Sequence, residues 1–283
     1  GWCAAHGIRE PVEVSARDVA DWVTAHVNQG HTPSYLRREL AGVRHHLVRH
    51  GVVDPPTDHP GVRQAVAGAT RIRGEAQRRA APLGLDDMRT IVNGIAIVNN
   101  RKLHHPTVVR DRALVALGWA LAQRAGNLVA LDVDDLRFTD DGLLVFIRRS
   151  KTDQTGRGLH IAVPWSHLES TCPVRAAMTL GRERKTGPLF RHIDRHRRHR
   201  GRLSVEGVTI ILRTHVADIL QRDPAPYSSH SLRAGFVTEA RARGVPDHAI
   251  MRRTGHTSAS SLHRYDRPAD LLDDARQYLG EWW

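Results

Sequence analysis

Apolar residues recur at helical spacing through most of the chain. In Ser15-Ala-Arg-Asp18 the serine can cap a helix while the aspartate reaches back, and Val19, Trp22, Val23 and Val27 then share one face. A second helix is predicted from Thr32-Pro33, with Leu36, Leu40, Val43 and Leu47 inward and Gly51 as its stop. Pro55, Pro56 and Pro60 punctuate the next stretch. After a short helical pattern comes the polar, cationic run Arg71-Ile-Arg-Gly-Glu-Ala-Gln-Arg-Arg79, which reads as a linker. Helical periodicity resumes over 87–98 and 108–122, where Leu114, Leu117 and Leu121 align. Over 136–163 the period falls to two. Asp140-Asp141-Gly142 marks a turn and Leu143, Val145 and Ile147 alternate after it, so a small antiparallel sheet is expected. Helical patterns return after Pro173 and end in an amphipathic tail of Leu271, Leu272, Ala275, Tyr278, Leu279 and Trp282. The fold class is therefore mainly α with a small antiparallel β-sheet. It divides into a helical unit over 1–70, a basic linker over 71–82 and a second unit over 83–283.

Charge adds a partner. Among 283 residues, 42 Lys+Arg against 30 Asp+Glu give a net charge of +12, which favours nucleic acid through counterion release from phosphates. Only Lys102, Lys151 and Lys185 are lysines, so 39 cations are arginines, whose planar fork grips phosphate bidentately. Candidate phosphate contacts are Arg37, Arg38 and Arg44 on the second helix and Arg71, Arg73, Arg78 and Arg79 in the linker. Arg197, Arg198 and Arg200 join them from the basic run at 191–202, expected as a flexible loop. That run also carries His192, His196 and His199, but the interleaved arginines repel a cation and no metal is expected. Cys3 and Cys172 are too few for a disulfide framework, and a reducing cytoplasm fits. No apolar run approaches the roughly 20 residues needed to cross a bilayer.

The chemistry concentrates downstream. His230-Ser-Leu-Arg233 places a proton carrier one helical turn from a fixed cation, a useful pair for a phosphoryl centre. Gly255-His256 follows, and Tyr265 lies nine positions beyond that histidine. Upstream stand Arg124, within Gly118-Trp-Ala-Leu-Ala-Gln-Arg-Ala-Gly-Asn-Leu128, and Lys151, within Ser150-Lys-Thr-Asp-Gln-Thr-Gly156. A tyrosine with an ordinary pKa near 10 needs help to lose its proton, and surrounding positive charge supplies it. Arg124 and Arg233 can hold the phosphate and neutralise its transition state, with His256 adding a hydrogen bond. Lys151 can protonate the leaving oxygen and His230 can move the tyrosine proton.

This ordered set, together with His230-Ser-Leu-Arg-Ala-Gly235, resembles the signature of the tyrosine recombinases, the phage integrase family. The resemblance implies an N-terminal helical core-binding (SAM-like) domain, its start expected to be truncated, and a C-terminal α+β catalytic domain. The two are expected to clamp double-stranded DNA. It further implies site-specific strand exchange through a 3′-phosphotyrosine, without ATP, metal or other cofactor, in a homo-oligomeric, tetrameric synapse. The tail beyond the tyrosine is expected either to dock on a neighbouring protomer or to fold back on its own domain. One position departs from the family, which often has an acidic residue three after the first arginine. Asn127 stands there, and it can accept one hydrogen bond but supplies no charge. The same residues are compatible with an architectural DNA-binding protein that has lost strand exchange, or with an enzyme that only nicks and relaxes DNA.

Overall fold

The computed structural model describes residues 13–74, 79–98, 102–148, 158–182 and 186–256, with isolated positions 5, 7, 10, 258 and 262. The chain forms two compact units, Gly1–Arg78 and Arg79–Trp283. The first contains α1 (Ala16–Asn28), α2 (Pro33–Arg49) and α3 (Pro60–Arg73). Ser15 and Asp18 form a reciprocal capping box on α1, which meets two backbone donors at its start, and Thr32 caps α2 by accepting the Tyr35 amide. Val23, Val27, Leu36 and Ala69 make the small core. Val43, expected inward, is 37% exposed because this core does not extend to it. Arg71 and Arg73, expected in the linker, belong to the last turn of α3, which ends at Gly74 with φ +70°.

The second unit contains α4 (Leu85–Val98), α5 (Pro106–Leu121) and α6 (Ala125–Ala130), then β1 (Leu136–Thr139), β2 (Gly142–Ile147) and β3 (Leu159–Pro164). After these come α7 (Pro173–Gly181), β4 (Arg191–Ile193), β5 (His199–Arg202), α8 (Val205–Leu220), α9 (Ser231–Ala242) and α10 (Asp247–Thr254). The sheet is antiparallel in the order β1-β2-β3, and Leu143, Val145 and Ile147 of β2 face the core. α5 is buried nearly all round, from Val108 to Leu121, with α4, α7 and α9 against it. Asp111 is therefore inside the fold. Its carboxylate lies between Arg110 Nε (2.6 Å) and His215 Nε2 of α8 (3.0 Å), the partners that a buried carboxylate requires.

The basic run at 191–202 is not a flexible loop. It is the β4–β5 hairpin, and Asp194 makes it one. Its carboxylate accepts the amides of His196 and Arg198, both at 2.9 Å, and pairs with Arg200 at 2.8 Å. The Arg198 amide first, then Arg200 and the His196 amide, hold this carboxyl below the usual carboxylate range. No helix among the described residues is long and apolar enough to cross a membrane.

Candidate active site

α5 ends by turning sharply. Ala122 adopts the left-handed conformation, φ +53°, and the chain re-enters a helix two residues later with Arg124 at its N-cap. Arg124 is half-buried, and its Nη1 is buried without a hydrogen-bond partner among the described residues. A guanidinium nitrogen in that condition is suited to an anionic oxygen.

α9 brings the second arginine to the same place. Gly235 permits it, since a Cβ there would stand 1.6 Å from the carbonyl oxygen of Leu83. The Leu83 segment is fixed in turn, its amide donating to Ser231 O at 3.0 Å and its carbonyl accepting Trp119 Nε1 at 3.0 Å. Arg233 is only 1% exposed. Its Nη1 donates to the carbonyls of Ala122 (3.0 Å) and Thr254, the C-terminal ends of α5 and α10, where partial negative charge gathers. Nη2 lies 2.7 Å from His256 Nε2.

That geometry fixes the imidazole. Arg233 can only donate, so His256 Nε2 accepts and Nδ1 carries the proton, which goes to Thr254 Oγ1 at 2.7 Å. Thr254 passes its own hydroxyl proton to Ile250 O at 2.7 Å.

His230 stands at the N-cap of α9, exposed at the edge of this cluster. Burial of part of the ring, followed by the charges of Arg233 and Arg124, pulls its pKa below that of an ordinary histidine. Both arginines therefore act on His230 electrostatically and favour its neutral form. The loop before it is held by α8: Arg213 donates to the carbonyls of Tyr227 (2.8 Å) and Ala225 (3.1 Å), and Thr209 Oγ1 accepts the Ser229 amide at 3.0 Å.

Four of the six expected residues, Arg124, His230, Arg233 and His256, thus converge. Lys151 and Tyr265 lie outside the described residues, as do Arg78 and the tail from 271 to 282. Asn127 meets Arg124 through the backbone, its amide donating to Arg124 O at 2.9 Å, and its side chain turns to Gln123. The side-chain amide donates to Gln123 Oε1 at 3.0 Å, and Gln123 Nε2 donates to Arg253 O at 2.5 Å. Gln123, Arg253 and Thr254 were not singled out in the sequence; their proximity to Arg124 and to Gly255-His256 was the available signal.

Arg37 bonds Thr70 Oγ1 at 3.1 Å, Arg38 bonds Glu39 at 3.0 Å and Arg44 grips Asp58 at 2.9 and 3.0 Å. Arg71, Arg79, Arg197, Arg198 and Arg200 are exposed. Among the described residues, no group of three His, Cys, Asp or Glu is placed to hold a metal ion.

Arg233 bonds His256, and the charges of Arg233 and Arg124 both act on His230, a set of side chains suited to an anionic phosphate. The sequence model of the phage integrase family matches residues 86–271, and the chain belongs to that family. It is a site-specific tyrosine recombinase. An integrase/recombinase XerD homolog of Selenomonas ruminantium is 30% identical over 281 residues, covering 96% of this chain and 79% of the relative. Among solved structures, the XerH recombinase bound to difH superposes with a TM-score of 0.62 at 13% identity, over 94% of this chain and 72% of that one. The Tn1549 transposon integrase with circular intermediate DNA gives 0.60 at 12%, over 93% and 85%. These two likenesses speak to the fold.

Proposed function

We propose that Tyr265 attacks a backbone phosphate of double-stranded DNA, in a site made by Arg124, Lys151, His230, Arg233 and His256. The Tyr265 Oη–P bond forms and the P–O5′ bond breaks. The phenolic proton passes to His230, and Lys151 supplies a proton to the departing 5′ oxygen. Arg124 and Arg233 carry the negative charge that builds on the non-bridging oxygens, and His256, whose two ring nitrogens bond Arg233 and Thr254, orients the Arg233 guanidinium. The 3′-phosphotyrosine keeps the energy of the phosphodiester, so a 5′-hydroxyl from a second strand reseals it in the reverse sequence. Neither ATP nor a metal is required, because the guanidiniums provide the electrostatic stabilisation that a cation gives elsewhere.

The observation that carries this reading is the buried Arg233, pinned by two helix ends, with the open donor of Arg124 and a neutral His230 in reach of the same charge. Residues 1–73 serve as the core-binding domain, 74–82 as the linker and 83–283 as the catalytic domain. Arg37, Arg38, Arg44, Arg71, Arg73, Arg78, Arg79, Arg197, Arg198 and Arg200 line the path of the phosphates. Exchange takes place in a homotetrameric synapse in the cytoplasm, where the DNA lies. The integrase of phage λ has been seen as a dimer on a core site, which supports assembly on DNA.

The test incubates the protein with duplex fragments, traps covalent adducts and maps the attached residue. Adducts on Tyr265, absent in Tyr265→Phe, are expected together with recombinant products. Adducts that persist unchanged in Tyr265→Phe overturn the assignment. Light scattering of the protein–DNA complex reads the number of protomers.

A further inference from the structure

The ends of α5 and α10 hold each other in both directions. From the α5 side, Gln123 Nε2 donates to the carbonyl of Arg253 at 2.5 Å. From the α10 side, Arg253 Nε donates to the carbonyl of Ala120 at 2.8 Å. Arg233 bridges the same two ends through Ala122 and Thr254. Arg253 alone reaches further. Its Nη1 donates to Ala162 O of β3 at 3.2 Å, and its guanidinium carbon lies 5.4 Å from the centre of the Phe236 ring on α9. One side chain therefore touches α5, α9 and β3, three segments that approach the cluster from different parts of the chain. Half-buried among carbonyls, it is a cation with enough fixed acceptors to justify its position.

The contact with β3 has a particular consequence. Ala162 sits opposite Leu144 of β2, and the connection between these two strands, residues 148–158, contains Lys151. The arginine cluster belongs to the helices, whereas Lys151 falls in sequence between two strands of the sheet. Proton transfer to the leaving oxygen requires the two to agree within a fraction of an ångström, and a misplacement of about 1 Å costs on the order of 100-fold in rate. We propose that Arg253 is a positioning residue that holds β3, and with it the connection bearing Lys151, in register with Arg124, Arg233 and His256. This rests on the assignment of proton donation to Lys151.

The step to be tested is loss of the 5′ oxygen. An alkoxide needs a proton to depart. A thiolate does not, so a substrate with sulfur in place of the bridging 5′ oxygen makes the proton donor dispensable. The full chain is used on a nicked duplex that carries a site recovered by trapping with the wild-type protein, in oxygen and sulfur versions, and adduct formation is timed in a single turnover.

Arg253→Met keeps the aliphatic stem and removes the donors. It is expected to slow cleavage of the oxygen substrate by roughly 10-fold or more, and to cleave the sulfur substrate at the wild-type rate. Arg253→Lys, which keeps the charge and reaches one carbonyl, is expected to fall between, with the same restoration, and it carries the test if the methionine variant does not fold. An equal loss on both substrates overturns the proposal, because a general loosening of the fold or of the phosphate clamp is indifferent to the leaving group. Lys151→Ala separates the two layers. If it is not restored by sulfur, the assignment of Lys151 fails and the proposal with it. If it is restored and the Arg253 variants are not, the role of Arg253 alone is overturned.

Discussion

Arg233 shows what one buried charge must satisfy. Its guanidinium meets two carbonyls and an imidazole at once, an arrangement that depends on a planar fork with five donors. Arg233→Lys keeps the charge but cannot span these acceptors, so at least one is left unpaired in the interior. A loss of about 3 kcal/mol in unfolding free energy is expected from denaturant titration, with adduct formation falling by at least roughly 100-fold.

His230 gives a pH prediction with a definite sign. Its folded pKa lies below the unfolded value near 6.5, so as pH falls through 6.5 the unfolded chain binds more protons and folding is disfavoured. Its contribution is complete above that value and is lost as the pH falls toward the folded pKa. An NMR titration of the His230 ring should show an inflection below 6.5 that moves upward in Arg124→Met, since one of the depressing charges is gone. An unmoved inflection would remove Arg124 from the cluster.

Asn127 reverses an expectation. The carbonyl of Arg253 can only accept, so Gln123 presents its amide there and its oxygen to Asn127, which must donate. Asn127→Asp restores the acidic residue frequent in the family but reverses this polarity. It is expected to lower the cleavage rate rather than raise it, in the same adduct assay.

At the level of elements, close approach decides the placement of α9. Gly235→Ala drives a methyl into the Leu83 backbone, and neither side has a flexible chain end that could yield. Either α9 or the Leu83 segment must shift, taking Arg233 with it. Thermal unfolding should occur at lower temperature, and addition of inorganic phosphate should raise it less than in the wild type.

What the sequence revealed at this level follows from the range of the forces. The capping box on α1, the cap of α2 and the alternation of β2 are local patterns, and all were legible. The β4–β5 hairpin was hidden because arginine and histidine on exposed strands give no apolar alternation, and the one organising residue, Asp194, acts through backbone amides two and four residues ahead. The partner of Asn127 was hidden for a different reason. The Gln123–Arg253 bond spans 130 residues, and no local spacing reports it. Arg124, His230, Arg233 and His256 were named through the resemblance to the family's ordered motifs, and the structure brings them within bonding or electrostatic reach of one another.

For the whole molecule, a charge of +12 sets the scale of DNA affinity, but not every arginine adds to it equally. Each phosphate neutralised contributes about 0.9 to the slope of log K against log salt. Arg71 is exposed on α3, and if it lies on the DNA path Arg71→Ala should lower that slope by about one contact. Arg44 differs. Its pair with Asp58 is half-exposed, and exposed pairs are weak, so a phosphate can displace the carboxylate at little cost. Removing Arg44, however, leaves Asp58 uncompensated near the backbone. Arg44→Ala should therefore weaken binding at low salt more than Arg71→Ala does, and Arg44→Ala combined with Asp58→Ala should recover part of the loss. Fluorescence anisotropy on a labelled duplex across a salt series reads both quantities. If the double variant binds no better than Arg44→Ala alone, Asp58 is not near the DNA, and Arg44 has only a structural role in joining α2 to the turn before α3.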